Sequence, residues 1–165
     1  MSRGRASRSV SKGEAADTVV VDNEVANGGR AFRYPLDVRF FEVDSLGVVF
    51  NMWYLGWCDE AMSAFMESIG YGYATLRGQG MDAVLRKAEI EWLDSLQAFQ
   101  HAEVVVRVDH VGRTSFRLHY DINRVDMSRT RCARAQVTYV CVQISDRKTA
   151  PIPAGLREAL VADRV

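Results

Sequence analysis

Residues 38–61 read VRFFEVDSLGVVFNMWYLGWCDEA, and the pattern changes twice inside them. Val38 to Val43 is strand-like. A turn follows on Asp44, Ser45, Leu46 and Gly47, and the chain then enters a long helix with an apolar face. A carboxylate thus stands just before a glycine, with a helix N-terminus a few residues further on. Such a terminus leaves backbone N–H groups without intrahelical partners, so a base or nucleophile lies beside a ready anion site.

Upstream of the quoted stretch, Phe32, Tyr34, Leu36, Val38 and Phe40 alternate with Arg33, Pro35, Asp37 and Arg39, the period of a half-buried strand. Pro35 cannot donate to a ladder, so it puts this strand at an edge or delays its start. Downstream, Leu55, Cys58, Met62, Phe65, Met66 and Ile69 recur at helical spacing, widened by Tyr54, Trp57 and Ala61. The spacing predicts a helix of about 16 residues with more apolar face than a surface helix needs. Glycines punctuate 70–80, where Tyr71, Tyr73 and Leu76 suggest a short second helix. Strand patterns then cover 83–92, 101–111, 114–125 and 131–144, with a tight hairpin at Gly112-Arg113 and another turn at 126–129. A short helix with Pro at its start closes the chain near 152–160.

One strand, one long helix and four antiparallel strands make an α+β domain over residues 31–165, a five-stranded sheet wrapped around the helix. The outer strand of such a sheet is an open edge that a second copy can cover, which predicts a homo-oligomer. Residues 1–30 read differently. Arg3, Arg5, Arg8 and Lys12 lie among Ser and Gly, then small and polar residues follow. That composition buries too little surface to offset its ordering entropy, so a disordered tail is expected, with Val19–Val21 able to dock as a stray strand.

Composition excludes several classes. Lys plus Arg equals Asp plus Glu at 21 each, so no net field draws nucleic acid or a membrane surface. Hydrophobic residues at 48% with charged residues at 25% suit a core that needs no disulfide. Cys58, Cys132 and Cys141 form no CxxC pair, each sits in an apolar run, and an odd count points to a reducing compartment, hence the cytoplasm. No apolar run approaches the ~18 residues of a membrane span. HExxH, GxSxG, Walker and GxGxxG patterns are absent. His101, His110 and His119 lack partners at metal-ligand spacing, so neither metal nor cofactor is expected.

Among the acids, Asp44 stands out. Gly47 allows close backbone approach, Val48, Val49 and Phe50 form a dry wall, and Asn51 opens the helix. Glu42, two residues earlier, points to the other side of an extended backbone. Asp59 and Glu60 read as a polar helix flank or as hydrogen-bond partners of the sheet.

The run from Val38 to Ala61 resembles the hotdog-fold acyl-CoA thioesterases of the 4-hydroxybenzoyl-CoA thioesterase type. The family pattern (V/I)-x-(F/Y)-x-(E/D)-x-D-x-x-G-(V/I)-V is met by Val38, Phe40, Glu42, Asp44, Gly47, Val48 and Val49, followed by Tyr54, Trp57, Asp59 and Ala61. The resemblance extends over about residues 33–160. It implies thioester hydrolysis with Asp44 as nucleophile or general base and the backbone N–H near Asn51 as oxyanion donor. Gly47, Val48, Trp53 and Tyr54 then line the substrate, and no cofactor beyond the CoA of the substrate is needed. It also implies a homodimer or homotetramer with the site between protomers. Arg113-Thr114-Ser115-Phe116 matches the family's (R/K)-x-S-(F/V/I) hairpin, so Arg113 and Ser115 are expected at the CoA phosphates, with Arg129, Arg131 and Arg134 as possible additions to the patch. The chain departs from the pattern at Trp53, where the family has Asn, and at Asn51, where relatives often carry His or Tyr. Two other functions fit the fold: an acyl-CoA or acyl-carrier binding module without turnover, and a hydratase or dehydratase, which generally wants a His paired with an acid.

Overall fold

The structure is a computed structural model, and it describes residues 30–164. The expected basic tail and its valine run therefore lie outside the described residues. The strands are β1 (Phe32–Asp37), β2 (Met81–Trp92), β3 (His101–Val111), β4 (Ser115–Arg124) and β5 (Arg131–Gln143); the helices are α1 (Asn51–Ser68), α2 (Tyr73–Gly78) and α3 (Ala154–Ala162). One antiparallel sheet runs in the order β1-β3-β4-β5-β2. Among the described residues β1 pairs only with β3, and Pro35 sits on that edge, opposite Glu103. At the other edge β2 pairs only with β5.

α1 is 18 residues long and lies in the hollow of the sheet. Tyr54, Trp57, Cys58, Ala61 and Phe65 face Val104, Val106, Leu118, Tyr120, Val137 and Tyr139, all buried in one core. The strand residues in this core alternate with residues on the far face, as period-2 side chains require. α3 closes the core with Leu156 and Leu160. The three cysteines are free and buried. Among the described residues no helix is long and apolar enough to cross a membrane.

The sequence pattern ran β1 through Phe40, but the strand stops at Asp37 and Phe40–Glu42 forms a single 3-10 turn. Glu42 is the reason: its carboxylate accepts the Arg39 N–H at 2.7 Å and draws the chain out of extended geometry. The β3–β4 connection holds Gly112, Arg113 and Thr114, closed by the Gly112 N–H donating to the Ser115 carbonyl at 2.7 Å.

The face of the sheet away from α1 carries charge. Asp121, 5% exposed, meets Arg107 at 2.8 Å, Arg131 at 2.9 Å and His119 at 3.4 Å. Burial pushes its pKa up, but the His119 and Arg107 hydrogen bonds and nearby positive charge outweigh that and hold it below the ordinary carboxylate value. A depressed folded pKa contributes stability that is complete above the unfolded value of about 4 and is lost as pH falls toward the folded one. Melting temperature should therefore drop steeply below about pH 4, and Asp121→Asn should flatten that slope. An equal slope in both proteins would assign the acid sensitivity elsewhere.

Candidate active site

Asp44 lies in a turn that ties down both of its own backbone groups. Its N–H donates to the Val48 carbonyl at 2.9 Å and its carbonyl accepts the Gly47 N–H at 3.0 Å. The carboxylate Oδ1 accepts the Leu46 N–H at 2.8 Å, an Asx turn that holds the side chain in one orientation. Gly47 has φ +76°, and nothing lies within 4 Å of where a Cβ would stand. The glycine is needed for its conformation. Gly47→Ala should cost about 1–2 kcal/mol, the left-handed penalty, read as a lower urea midpoint.

The turn is the tip of a small hairpin. Val43 bridges to Val49, the Phe50 N–H donates to the Glu42 carbonyl at 2.9 Å, Val48 bridges to Gln97, and the Val49 N–H donates to the Leu96 carbonyl at 2.8 Å. The segment between β2 and β3 thus clamps the hairpin, and Leu96 is buried beneath it. α1 starts at Asn51 as the hairpin ends. Its N-cap residue is Phe50, with no side-chain capping bond, and the first turn carries no acid. The opening N–H groups therefore keep their positive end unanswered by a cap, one return strand away from the Asp44 carboxylate.

Behind the turn stands Glu42, fully buried at 0% exposure. Besides the Arg39 N–H, it accepts Arg39 Nε at 2.9 Å and Trp57 Nε1 at 3.0 Å. Burial pushes its pKa up, yet these bonds from Arg39 and Trp57 prevail and keep it below the usual carboxylate value. The Arg39 guanidinium also stacks over Phe41 (5.1 Å), whose ring meets Trp53 edge-on at 5.3 Å. Glu42 therefore joins the 3-10 turn to the middle of α1, a role the sequence reading missed. The R-F-F-E spacing, an acid three residues after the cap position, was the available signal.

The other expected site residues separate into groups. Val48 is half-buried on the hairpin. Trp53 is half-buried on the α1 flank that faces β1, the flank on which Glu60 accepts a bond from the Tyr34 hydroxyl at 3.4 Å. Tyr54 is 2% exposed, with its ring 5.1 Å from Trp57 and 6.5 Å from Trp92. Burial pushes its hydroxyl up to about 12, and the group packs the core instead of presenting a surface to substrate. Arg113 is exposed in the β3–β4 connection, where its carbonyl accepts the Ile152 N–H at 2.9 Å, and Ser115 opens β4 beside it. Asp37 pairs with His101, so the β1 end that leads to Asp44 lies at the start of β3. Arg113 follows the far end of β3, about 35 Å away along an 11-residue strand. A single chain does not bring Arg113 and Asp44 together. Arg129 and Arg131 lie at the Asp44 end instead, in and after the β4–β5 turn.

Two of the three histidines each meet a single carboxylate. His101 Nδ1 meets Asp37 at 2.5 Å and His119 meets Asp121, both on the sheet face away from α1. Among the described residues no group of three or more His, Cys, Asp or Glu side chains is arranged to hold a metal ion.

Comparison with known proteins gives a consistent result. The Thioesterase-like superfamily profile matches residues 38–160. A 1,4-dihydroxy-2-naphthoyl-CoA hydrolase of Synechococcus elongatus is 25% identical over 78% of this chain and 94% of its own length. The crystal structure of a 1,4-dihydroxy-2-naphthoyl-CoA thioesterase from Synechocystis superposes with a TM-score of 0.72 at 25% identity, covering 79% of this chain and 96% of that one. That of a hypothetical protein from Aquifex aeolicus does so at 0.72 with 28% identity, covering 78% and 98%.

Proposed function

The chain belongs to the thioesterase-like superfamily, with the hotdog fold, and on that premise we propose that it hydrolyses an acyl-CoA thioester to the free acid and CoA. One observation carries the reading: an acid held on a rigid turn stands beside a helix N-terminus with no side-chain cap and no acid in its first turn. The thioester carbonyl binds at that terminus, near the Asn51 N–H, where the developing oxyanion meets the positive helix end. One well-aimed donor of this kind is worth about 3–4 kcal/mol. Asp44 either attacks the carbonyl carbon, giving an anhydride that water then opens, or takes a proton from the attacking water. On both routes a C–O bond forms, the C–S bond breaks, and the CoA sulfur leaves with a proton.

The twelve-residue β2 edge supports self-association. Val84, Leu85 and Trp92 are exposed on it, and an open apolar edge strand is a template for a second copy. Antiparallel pairing of β2 with itself turns the partner's sheet end for end. It carries the partner's Arg113 to the end that holds Asp44, so CoA phosphates are gripped from across the dimer. Buried free thiols suit a reducing compartment such as the cytoplasm.

The test is free-thiol release from acetyl-, benzoyl- and palmitoyl-CoA, run with size-exclusion chromatography. Turnover of at least one substrate by a dimeric or tetrameric protein is the expected result. CoA binding with thiol release only at background would leave the non-catalytic binding module.

A further inference from the structure

Gly112, Arg113 and Thr114 connect β3 to β4, and each of their carbonyls is held by a different part of the chain. Thr114 accepts the Cys141 N–H of β5 at 2.9 Å, and Arg113 accepts the Ile152 N–H at 2.9 Å. Gly112 accepts a hydrogen bond from Arg157 Nη2, on α3. Across a trans peptide the N–H points opposite to the C=O, so the Arg113 and Thr114 N–H groups turn away from α3 and Ile152. The Arg113 side chain is exposed on the same connection. A guanidinium on a loop whose carbonyls are turned in and whose N–H groups are turned out is a donor set suited to phosphate oxygens.

The Arg157 bond differs from the other two because a side chain makes it. Cys141 and Ile152 donate from the main chain, so a substitution removes only the bond from α3. α3 does not depend on that bond for its own docking, since Leu156 and Leu160 are both fully buried at 0% exposure. The helix is therefore a fixed base from which the guanidinium reaches out to the connection. A long side chain loses rotamer freedom when it holds one carbonyl, and a charged donor offsets this with a stronger bond than a neutral one makes.

Resting on the thioesterase reading and on its contact between Arg113 and CoA, we propose that Arg157 is a positioning residue for CoA recognition. It fixes the connection that carries Arg113, so the Arg113 guanidinium meets the CoA phosphates without first having to order the loop that bears it. Arg157 acts through that loop and touches no part of the substrate. The nucleotide end of the substrate senses the bond, and the acyl and thioester ends do not.

Arg157→Met should raise KM for benzoyl-CoA about 10-fold and leave kcat within about two-fold, the size of one charge-assisted bond and the mark of binding shared by ground and transition states. The benzoyl thioester of N-acetylcysteamine carries no phosphate, so both of its constants should stay at wild type. Arg157→Lys keeps a charged donor and should recover most of the loss. In an Arg113→Ala background, Arg157→Met should change KM for benzoyl-CoA by less than about two-fold, because the group it positions is gone. Additive effects of the two substitutions would overturn the assignment, as would an Arg157→Met protein that loses both substrates equally. Calorimetry with CoA alone should show the same roughly 10-fold weaker binding, and an equal Kd for wild type and Arg157→Met would overturn the assignment as well. That arm needs no turnover, so wild type that binds CoA and releases no thiol overturns the thioesterase reading alone.

Discussion

Asp44→Asn should lower kcat/KM for the proposed acyl-CoA hydrolysis by about 10³-fold, within the 10²–10⁴ range for loss of a positioned base, and leave the melting temperature nearly unchanged. Asparagine keeps the carbonyl oxygen that accepts the Leu46 N–H, so the Asx turn survives and only the charge is lost. KM should move little, because Asp44 acts on the reacting carbon or its water. A fall in kcat with constant KM marks an interaction made in the transition state. An Asn variant that releases thiol at the wild-type rate would show that the acid of this turn is an Asx cap and nothing more.

Glu42→Ala should lower stability by about 3 kcal/mol, to be read as a melting temperature roughly 10 °C lower. The loss has three parts: a charged acceptor, the buried Trp57 Nε1–H left without its partner, and the volume of a fully buried side chain. Arg39 keeps much of its solvation, because its side chain is 46% exposed, and this holds the cost below that of breaking a wholly buried pair. Thiol release should fall too, since the 3-10 turn that Glu42 caps leads straight into the Asp44 hairpin. Glu42→Gln should recover part of the stability by keeping one acceptor oxygen. If Glu42→Ala melts with the wild type, the carboxylate is not what joins the turn to α1.

The order of elements was legible along the chain. Alternation marked β1, β3 and β4, and the stripe from Leu55 to Ile69 marked the body of α1, Asn51–Ser68. The juxtaposition of Asp44, Gly47 and the start of α1 was equally plain, because it lies within a dozen residues. The short β1 was not, since the alternation of Phe40 with its neighbours carries no trace of a carboxylate folding back on Arg39.

Reading alone therefore determined what depends on near neighbours: the periodicities, the turn chemistry, the acid beside a helix N-terminus and the family that shares them. The tertiary structure decided everything that depends on strand order and register. It put Tyr54 in the core, Glu42 under Trp57, and Arg113 at the end of the sheet opposite Asp44. Side-chain period is a property of a few consecutive residues. Which end or face of a sheet a residue reaches is set by hydrogen-bonded pairings between segments far apart in the chain, and no local pattern carries that information.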